Sequence, residues 1–314
     1  MRDPVVSNLA GLVSDVLGVR AHSIRRLTGG CVGDVFSLAV DPIVDVIERN
    51  VSLATSLASA DHQIVVKYDA NAGAIGSTSF GSLETEAFML RYLGDYTQLP
   101  VPKVLHSSAM LLVMTKLPGS TCAGAQAQQH LGELVAHLHS ITSDRCGFER
   151  DTLIGPLVQP NPDTDAWIPF FAEHRLSYMA CLATNANQMP SSIAHRVDRL
   201  CNKLDNLLNE PEKPSLLHGD LWSGNVLADE SHVTGIIDPA ISYGHHECDL
   251  AYMTLFGCFG ESFFAAYRDN MPIEPGFERD RRPIYQLWPL LVHVRLFGGS
   301  YVSSVDQSLR RFGV

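Results

Sequence analysis

The chain has 314 residues, of which 46% are hydrophobic and 18% are charged, a balance that is typical of a globular protein with a sizeable core. Its formal net charge of −11 argues against a broad nucleic-acid surface, and no apolar run reaches the roughly 18 residues that suggest a membrane span. The seven cysteines include no Cys-x-x-Cys pair, and the first residues do not have the order of a signal peptide. We therefore expect a cytoplasmic protein with free thiols, no nucleic-acid partner and no membrane association.

The first chemical signal is a glycine-rich stretch, Thr-Gly-Gly-Cys-Val-Gly, between a predicted helix over 5–17 and a predicted strand over 35–40. Glycines let the backbone close over phosphates where side chains would block the approach. The residues concerned are Gly29, Gly30 and Gly33. A plain hairpin turn is the alternative, but the Val-Val-Lys strand that follows favours a nucleotide loop.

Cys31 is predicted to lie at the tip of this loop. An exposed thiol there could be oxidised, and its oxidation would disturb nucleotide binding. The alternative is a small residue in an ordinary turn. ATP affinity measured before and after mild oxidation distinguishes the two, because only the first predicts a change.

The segment 41–61 lies between two predicted strands. Asp41 as N-cap and Pro42 at the first helical position predict a helix there. Its apolar stripe would be formed by Ile43, Ile47, Val51 and Ala54. The sequence leaves open whether this segment packs on the amino-terminal part of the chain, which is the small lobe predicted below, mediates a dimer or is mobile.

A strand over 63–68 carries Lys67 and resembles the Val-Ala-Ile-Lys strand of kinases, in which the lysine holds the α- and β-phosphates. A helix near 83–93 follows, with Glu84 and Glu86 as candidate partners for Lys67. An apolar strand over 109–114 is then broken by Thr-Lys-Leu-Pro-Gly.

We place a hinge at this break, dividing the chain into a nucleotide-binding lobe over 1–116 and a catalytic and substrate lobe over 117–314. The adenine edge would meet backbone groups of Thr115, Lys116 and Leu117. Further predicted helices cover 125–139 and 193–208. His139 in the first is expected only to cap or pack, because it and His137, two residues apart on a helix, face different directions.

The stretch 216–238 carries the strongest signal. Short strands are predicted over 226–228 and 233–237, and the hairpin they form would bring Asn225 and Asp238 side by side, with Asp220 one loop away. This arrangement suits phosphoryl transfer. Asp220 would orient the attacking hydroxyl and accept its proton, while Asn225 and Asp238 would hold Mg²⁺ against the phosphates of ATP.

Gly219 stands where the protein-kinase template has the arginine of His-Arg-Asp, and Asp-Pro-Ala replaces Asp-Phe-Gly. These departures predict a small-molecule kinase without an activation-loop switch. The His-His-Glu run at 245–247 is not expected to bind metal, because its spacing is not that of His-Glu-x-x-His and no further ligand set stands out.

The string His-Gly-Asp-Leu-Trp-Ser-Gly-Asn, then Asp-Pro-Ala and Tyr-Gly-His-His-Glu-Cys-Asp-Leu-Ala, resembles the fructosamine kinase (ketosamine-3-kinase) family. This family belongs with the aminoglycoside phosphotransferases and choline kinases. The resemblance covers nearly the whole chain, except segments 41–61 and 71–82. It implies an α+β, two-lobed protein-kinase-like fold with a β-rich small lobe and a mainly helical large lobe.

The resemblance also implies roles for single residues. It favours Glu86 over Glu84 as the partner of Lys67. Asp249, together with His218, would support the catalytic loop without taking part in the chemistry. Trp222 and His293 are candidates for the substrate side, against simple core packing.

The implied activity is ATP-dependent phosphorylation of the third sugar carbon's hydroxyl in ketosamines, free or protein-bound, in deglycation repair. Two alternatives stay open. A kinase of an aminoglycoside or choline need not keep Trp-Ser-Gly at 222–224. A non-catalytic ATP-binding protein would be expected to lack Lys67, Asp220, Asn225 or Asp238, and all four are present. The oligomeric state, monomer or homodimer, also stays open.

Overall fold

The computed structural model of the protein describes residues 4–27, 34–41, 50–72, 82–121 and 124–314. The chain forms two compact units, which are treated in turn. The first comprises Met1–Thr121, Val226–Asp229 and Val233–Asp238, and the second comprises Cys122–Asn225, Glu230–His232 and Pro239–Val314. Within the described ranges, no helix is both long enough and apolar enough to cross a membrane.

The first unit is built on an antiparallel sheet with the strand order β1-β2-β3-β5-β4. In β3 the side chains alternate between the two faces, and Ile64 and Val66 are fully buried on one of them. The register pairs Lys67 with Val35 and with Leu112. The strands are β1 Arg20–Arg26, β2 Asp34–Asp41, β3 Gln63–Tyr68, β4 Val104–Ser107 and β5 Leu111–Thr115.

In the described part of this unit, three helices pack on the sheet: α1 Pro4–Leu17, α2 Val51–Ser59 and α3 Ser82–Tyr96. One core cluster joins apolar side chains of α1, α2 and the sheet, and a second joins α3 to β5. In the second cluster Leu83, Ala87 and Leu90 pack against Leu112 and Met114. This spacing of three and four residues is the apolar stripe of a helix lying on a sheet, and it fixes which residues of α3 face inward.

The segment after β2 differs from expectation. Asp41 is the last residue of β2, and residues 42–49, with the predicted Pro42, Ile43 and Ile47, lie outside the described ranges. The described helix, α2, starts at Val51 with Asn50 as its N-cap, whose side chain accepts the N–H of Leu53. The expected place of Val51 in the apolar stripe is wrong, because this side chain is 71% exposed while Leu57 is buried.

A short hairpin within the stretch 216–238 belongs to the first unit. β9 Val226–Ala228 pairs with β10 Val233–Ile236, with Ile236 opposite Val226. Ser120 forms a β-bridge with Ala228, and the hydroxyl of Thr234 donates to the carbonyl of Pro118 at 2.6 Å. The hairpin is therefore tied to the chain that follows β5.

The second unit is mainly helical. Two short antiparallel ladders accompany the helices: β6 Thr152–Ile154 with β7 Leu157–Gln159, and β8 Ser215–Leu217 with β11 Ser242–Gly244. The helices are α4 Ala125–Ser140, α5 Trp167–Phe171, α6 Tyr178–Asn185, α7 Ser191–Cys201, α8 Glu247–Met253, α9 Glu261–Asn270, α10 Arg282–Tyr285, α11 Leu287–Phe297 and α12 Ser300–Arg311. The predicted α+β fold class is confirmed.

One predicted helix is shorter than expected. The interpretation of 193–208 as a single helix is wrong at its carboxyl end, because α7 ends at Cys201 and a separate 3₁₀ turn covers Leu204–Asn206. Leu204 is fully buried, so the same apolar pattern that suggested a longer helix is satisfied by a tighter turn. Periodicity indicates which side chains face inward, but it does not fix where a helix ends.

Candidate active site

Lys67 is the central charged group of the first unit. It lies on β3, and its Nζ is 2.7 Å from Glu86 Oε1 and 2.7 Å from Asp238 Oδ1. All three residues belong to one compact unit. The pairing chooses between the two candidate glutamates, since Glu86 is buried on α3 whereas Glu84 is exposed.

The two carboxylates set the charge state of Lys67. Burial alone would lower the pKa of Lys67, but the charges of Asp238 and Glu86 outweigh burial and raise the pKa above its ordinary value. Lys67 is therefore a buried cation on β3. A fixed buried ammonium with three donor directions can hold a phosphate oxygen.

Asp238 follows β10 with a φ of +55°. This left-handed conformation is uncommon for residues other than glycine and costs on the order of 1 kcal/mol, although Asp tolerates it better than most. One carboxylate oxygen accepts a hydrogen bond from Lys67. Such local strain at a carboxylate is typical of functional positions.

Asp220 and Asn225 are joined within the second unit. The Asn225 side-chain amide donates to the Asp220 carbonyl at 2.8 Å and to Asp220 Oδ2 at 2.9 Å. A 3₁₀ turn over Ser223–Asn225 creates this geometry. Both hydrogens of the Asn225 side-chain amide are directed at Asp220. The side-chain oxygen, Oδ1, is therefore the atom of Asn225 that can act as a hard ligand for a cation.

The chain before Asp220 is held by a buried carboxylate on α8. Asp249 accepts the N–H of His218 at 2.7 Å and the N–H of Gly219 at 2.9 Å. Burial alone would raise the pKa of Asp249, but hydrogen bonding and charge from His139, with the contributions of His218 and Gly219, lower it. His218 is itself buried, and its Nδ1 accepts the N–H of Asp220 at 3.4 Å. Asp249 and His218 therefore both hold the backbone of the loop that carries Asp220.

Gly219 explains one departure from the protein-kinase template. Its φ is +81°, and a Cβ built on it would lie 2.0 Å from the carbonyl oxygen of Ala240. The Ala240 N–H also donates to the His218 carbonyl at 2.7 Å. The two loops approach so closely here that no side chain fits at position 219.

His139 has a larger role than sequence analysis assigned. It was expected only to cap or pack, but its Nε2 is 3.2 Å from Asp249 Oδ2 and its Nδ1 is 2.8 Å from the hydroxyl of Tyr267. The side chain is fully buried on α4. His139 therefore fixes the carboxylate that holds the catalytic loop, a link that residue spacing along one helix does not reveal.

A second buried network holds the chain just after Asp238. Gln159 Nε2 donates to the Ala240 carbonyl at 2.9 Å and to Thr152 Oγ1 at 3.0 Å. The Thr152 hydroxyl in turn donates to the Ile241 carbonyl at 3.0 Å. Asn161 donates to the same hydroxyl oxygen and accepts from Arg175. All four side chains of this network are buried.

Trp222 and His293, the predicted substrate-side residues, meet a common neighbour in the second unit. The ring centroid of Phe256 is 5.6 Å from that of Trp222 and 5.0 Å from that of His293. His293 Nδ1 is 2.7 Å from the Pro289 carbonyl, so Nδ1 carries the proton. The two residues are thus brought into one aromatic cluster.

The residues of the predicted hinge are partly used by the sheet. The N–H of Thr115 donates to the Lys103 carbonyl and the N–H of Lys116 donates to the Gln63 carbonyl. These two groups are not available to an adenine edge, so the predicted contacts would fall to other backbone groups of 115–117. Gly29, Gly30, Gly33 and Cys31 lie outside the described residues.

The His-His-Glu run is part of the core. Arg281 forms a bidentate ion pair with Glu247, with N–O distances of 2.6 and 2.7 Å. The N–H of Glu247 donates to His245 Nδ1. Within the described ranges, no group of three His, Cys, Asp or Glu side chains is arranged to hold a metal ion.

The sequence model of the fructosamine kinase family matches residues 40–312 of the chain. The chain belongs to the fructosamine kinase family. The match contains Lys67 and the whole stretch 216–238, and it begins after the glycine-rich stretch that includes Gly29, Gly30 and Gly33.

Relatives of this fructosamine kinase family member are found in bacteria and plants. It is 38% identical over 239 residues to a probable ketoamine kinase of Enterococcus faecium, covering 74% of this chain and 83% of the relative. It is 36% identical over 239 residues to the chloroplastic protein-ribulosamine 3-kinase of Arabidopsis thaliana, covering 72% of each. A fructosamine-3-kinase candidate from Thermobifida fusca has a solved structure that superposes with a TM-score of 0.80 and 28% identity, covering 96% of this chain and 97% of the other.

Sequence reasoning assigned no role at the site to three residues of this fructosamine kinase family member: His139, Gln159 and Phe256. Each acts through contacts between elements that are distant in sequence, such as Gln159 with Ala240, 81 residues apart. A polar residue at a position that helix or strand periodicity assigns to the core is the signal that could have marked His139 and Gln159, because buried polar groups need partners.

Proposed function

We propose that this protein is an ATP-dependent kinase that phosphorylates the 3-hydroxyl of ketosamines, including fructosamine and ribulosamine adducts, as part of deglycation repair. The observation that carries the proposal is membership of the fructosamine kinase family together with Asp220 fixed by Asn225. The printed names of its relatives, ketoamine kinase and protein-ribulosamine 3-kinase, agree with this substrate class.

In this mechanism the chain's own groups position the reactants. Asp220 accepts a hydrogen bond from the sugar hydroxyl and takes its proton as the hydroxyl oxygen attacks the γ-phosphorus of ATP in line, while the bond from that phosphorus to ADP breaks and ADP leaves. Asn225 directs its amide hydrogens to Asp220 and so holds that carboxylate. Lys67, fixed by Glu86, binds phosphate oxygens of ATP.

The oxygen donors of Asn225 and Asp238 fit Mg²⁺, which prefers hard oxygen ligands and keeps several waters. Asn225 immediately precedes β9, and Asp238 follows β10 by two residues, so the pairing of Val226 with Ile236 supports a shared role. Bound Mg²⁺ would neutralise charge on the phosphates. The remaining nucleotide contacts are assigned to the glycine-rich loop and to backbone groups of 115–117.

The substrate contacts are assigned to Trp222 and His293, and Asp249 with His218 keeps the catalytic loop in place. We further propose that the protein works in the cytoplasm, where the five described cysteines would remain as free as they are in the structure. We also propose that a nucleotide-binding lobe and a substrate lobe meet between residues 116 and 117.

The test is ATP consumption with Mg²⁺ on ribulosyl-lysine, fructosyl-lysine, choline and an aminoglycoside, beside an Asp220→Asn control. We expect turnover on a ketosamine and a loss of about 10²- to 10⁴-fold in the control. Turnover on choline or the aminoglycoside alone would overturn the substrate assignment. Bound ATP without turnover on any of the four would contradict the proposal.

A further inference from the structure

Five aromatic rings of the second unit form a continuous surface, here called the aromatic surface. It consists of Trp222, Phe256, His293, Phe297 and Tyr301. Phe256 joins Trp222 to His293, and the His293 ring contacts Phe297 at 5.6 Å and Tyr301 at 4.9 Å between centroids. Phe297 and Tyr301 are also neighbours at 6.2 Å. The rings come from the catalytic loop, the chain after α8, and helices α11 and α12.

Much of this aromatic surface faces solvent. Phe256 is 38% exposed and Phe297 is 57% exposed, whereas Trp222, His293 and Tyr301 are half-buried. Large aromatic side chains are usually well buried, and a contiguous exposed set is typical of a binding site. Packing alone would not leave Phe256, which contacts the rings of Trp222, Tyr252 and His293, open to water.

The position of Trp222 is specified by the chain around it. A Cβ built on Gly224 would lie 2.3 Å from the Trp222 ring, so the indole lies directly against the backbone at Gly224. Trp222 follows Asp220 by two residues, and two residues of chain span at most about 7 Å. The aromatic surface therefore begins next to the proposed catalytic carboxylate.

The chemistry of a ketosamine matches this neighbourhood. Its nitrogen is bonded to the first sugar carbon, two carbons from the hydroxyl that Asp220 would engage. That nitrogen is a secondary amine and carries a positive charge near neutral pH. A cation over aromatic faces is stabilised by the ring quadrupoles, and aromatic cages are a common site for alkylated ammonium groups.

We propose that the aromatic surface binds the secondary ammonium group of the ketosamine, with Phe256 as the residue that selects ketosamines over uncharged ketose derivatives. This inference rests on the proposed function, and it adds the group by which the substrate is distinguished. The net charge of −11 favours the approach of a cationic substrate. His293 can line such a site without repelling a cation, because burial lowers its pKa and keeps the ring neutral at pH 7.

The test compares two substrates that differ in one atom: an N-alkyl fructosamine and the matching O-alkyl ether, in which oxygen replaces the charged nitrogen. Steady-state kinetics at pH 7 give kcat/KM for each with wild type, Phe256→Leu, Phe256→Tyr and Tyr96→Leu. We expect wild type to prefer the amine. Phe256→Leu should lose about two- to thirty-fold on the amine and much less on the ether, through KM more than kcat.

Two controls separate recognition from folding. Phe256→Tyr keeps an aromatic face and should retain the amine-to-ether preference. Tyr96→Leu removes an exposed aromatic ring from α3 in the other unit, and should leave both kcat/KM values unchanged.

Equal losses of Phe256→Leu on amine and ether would overturn the inference, since they would mean that the ring only packs. Wild-type turnover of the amine without preference over the ether would overturn it too, while leaving the proposed function intact. A wild-type enzyme inactive on the ketosamine would overturn the proposed function and this inference together.

Discussion

At the scale of single residues, Gly219 shows how one position limits what the catalytic loop can contain. We predict that Gly219→Ala lowers the free energy of unfolding by more than about 3 kcal/mol, because it adds both a strained φ and a clash with the Ala240 carbonyl. Urea unfolding measures the change.

Gly257→Ala is the matched control, since Gly257 has a φ of +77° with nothing within 4 Å of a built Cβ. It should cost about 1 kcal/mol from backbone strain alone. Equal costs for the two variants would show that the contact with Ala240 is not limiting.

The ion pair between Lys67 and Glu86 gives a second prediction at this scale. Replacing Glu86 by Gln removes one of the two charges beside a buried ammonium and lets Lys67 move toward Asp238. We expect kcat/KM for ATP to fall by up to about a hundred-fold, because small displacements of a positioning group are costly.

Glu84→Gln, two residues away on the exposed face of α3, should leave kcat/KM for ATP unchanged. A comparable loss in both variants would mean that the effect comes from the charge of the helix and not from the ion pair.

The sequence marks the candidate motif residues but not the side chains that support them. Lys67, Asp220, Asn225 and Asp238 stand in recognisable strings. His139 carries no such mark, because its partners, Asp249 and Tyr267, are 110 and 128 residues away. Contacts of that range depend on how helices pack, which local pattern does not determine.

At the scale of elements, the β6–β7 ladder acts as a support for the chain that leaves Asp238. Gln159 is the last residue of β7 and donates to the Ala240 carbonyl. We predict that Gln159→Leu leaves that buried carbonyl without this donor and destabilises the protein by about 1–3 kcal/mol. It should also raise the Mg²⁺ concentration needed for half-maximal kcat, since Asp238 lies two residues before Ala240.

Val158→Ala on the same strand provides the control, because Val158 is 44% exposed. It should change neither stability nor the Mg²⁺ requirement. If Gln159→Leu lowers stability without altering the Mg²⁺ dependence, the ladder supports the fold and not Asp238.

Several elements were predicted closely, among them the helix over 125–139, whereas the carboxyl end of the helix predicted over 193–208 was not. The strands over 63–68 and 226–228 have the predicted bounds. The helix predicted to start at Asp41 and Pro42 would begin in residues 42–49, which lie outside the described residues, and the described helix α2 begins at Val51 with Asn50 as its N-cap.

At the scale of the whole molecule, buried histidines give a prediction about acid stability. Burial lowers the pKa of His245 to about 3 and, with the neighbouring His245, lowers that of His246 to about 2. The charges of Arg281 and His139 lower the pKa values of both histidines further. In the unfolded chain both histidines would titrate near 6.5.

The unfolded state therefore binds more protons below about pH 6.5, and stability present at neutral pH is lost as the pH falls toward the folded values. We expect each histidine to contribute about 1.4 kcal/mol per pH unit in this window, measured by urea midpoints at pH 7 and pH 5. His246→Gln should reduce the slope, whereas the exposed His195 replaced by Gln should not. An unchanged slope in His246→Gln would contradict this account.

The central claim is that Asp220 takes the proton of the hydroxyl on the third sugar carbon of a ketosamine, so that this hydroxyl is the one that is phosphorylated. The most direct measurement is phosphorus NMR of the products formed from fructosyl-lysine and ribulosyl-lysine with ATP and Mg²⁺, by wild type and Asp220→Asn side by side. We predict a 3-phosphate with wild type and its loss by about 10²- to 10⁴-fold in the variant. A phosphate at another position, or equal rates in both proteins, would contradict the claim.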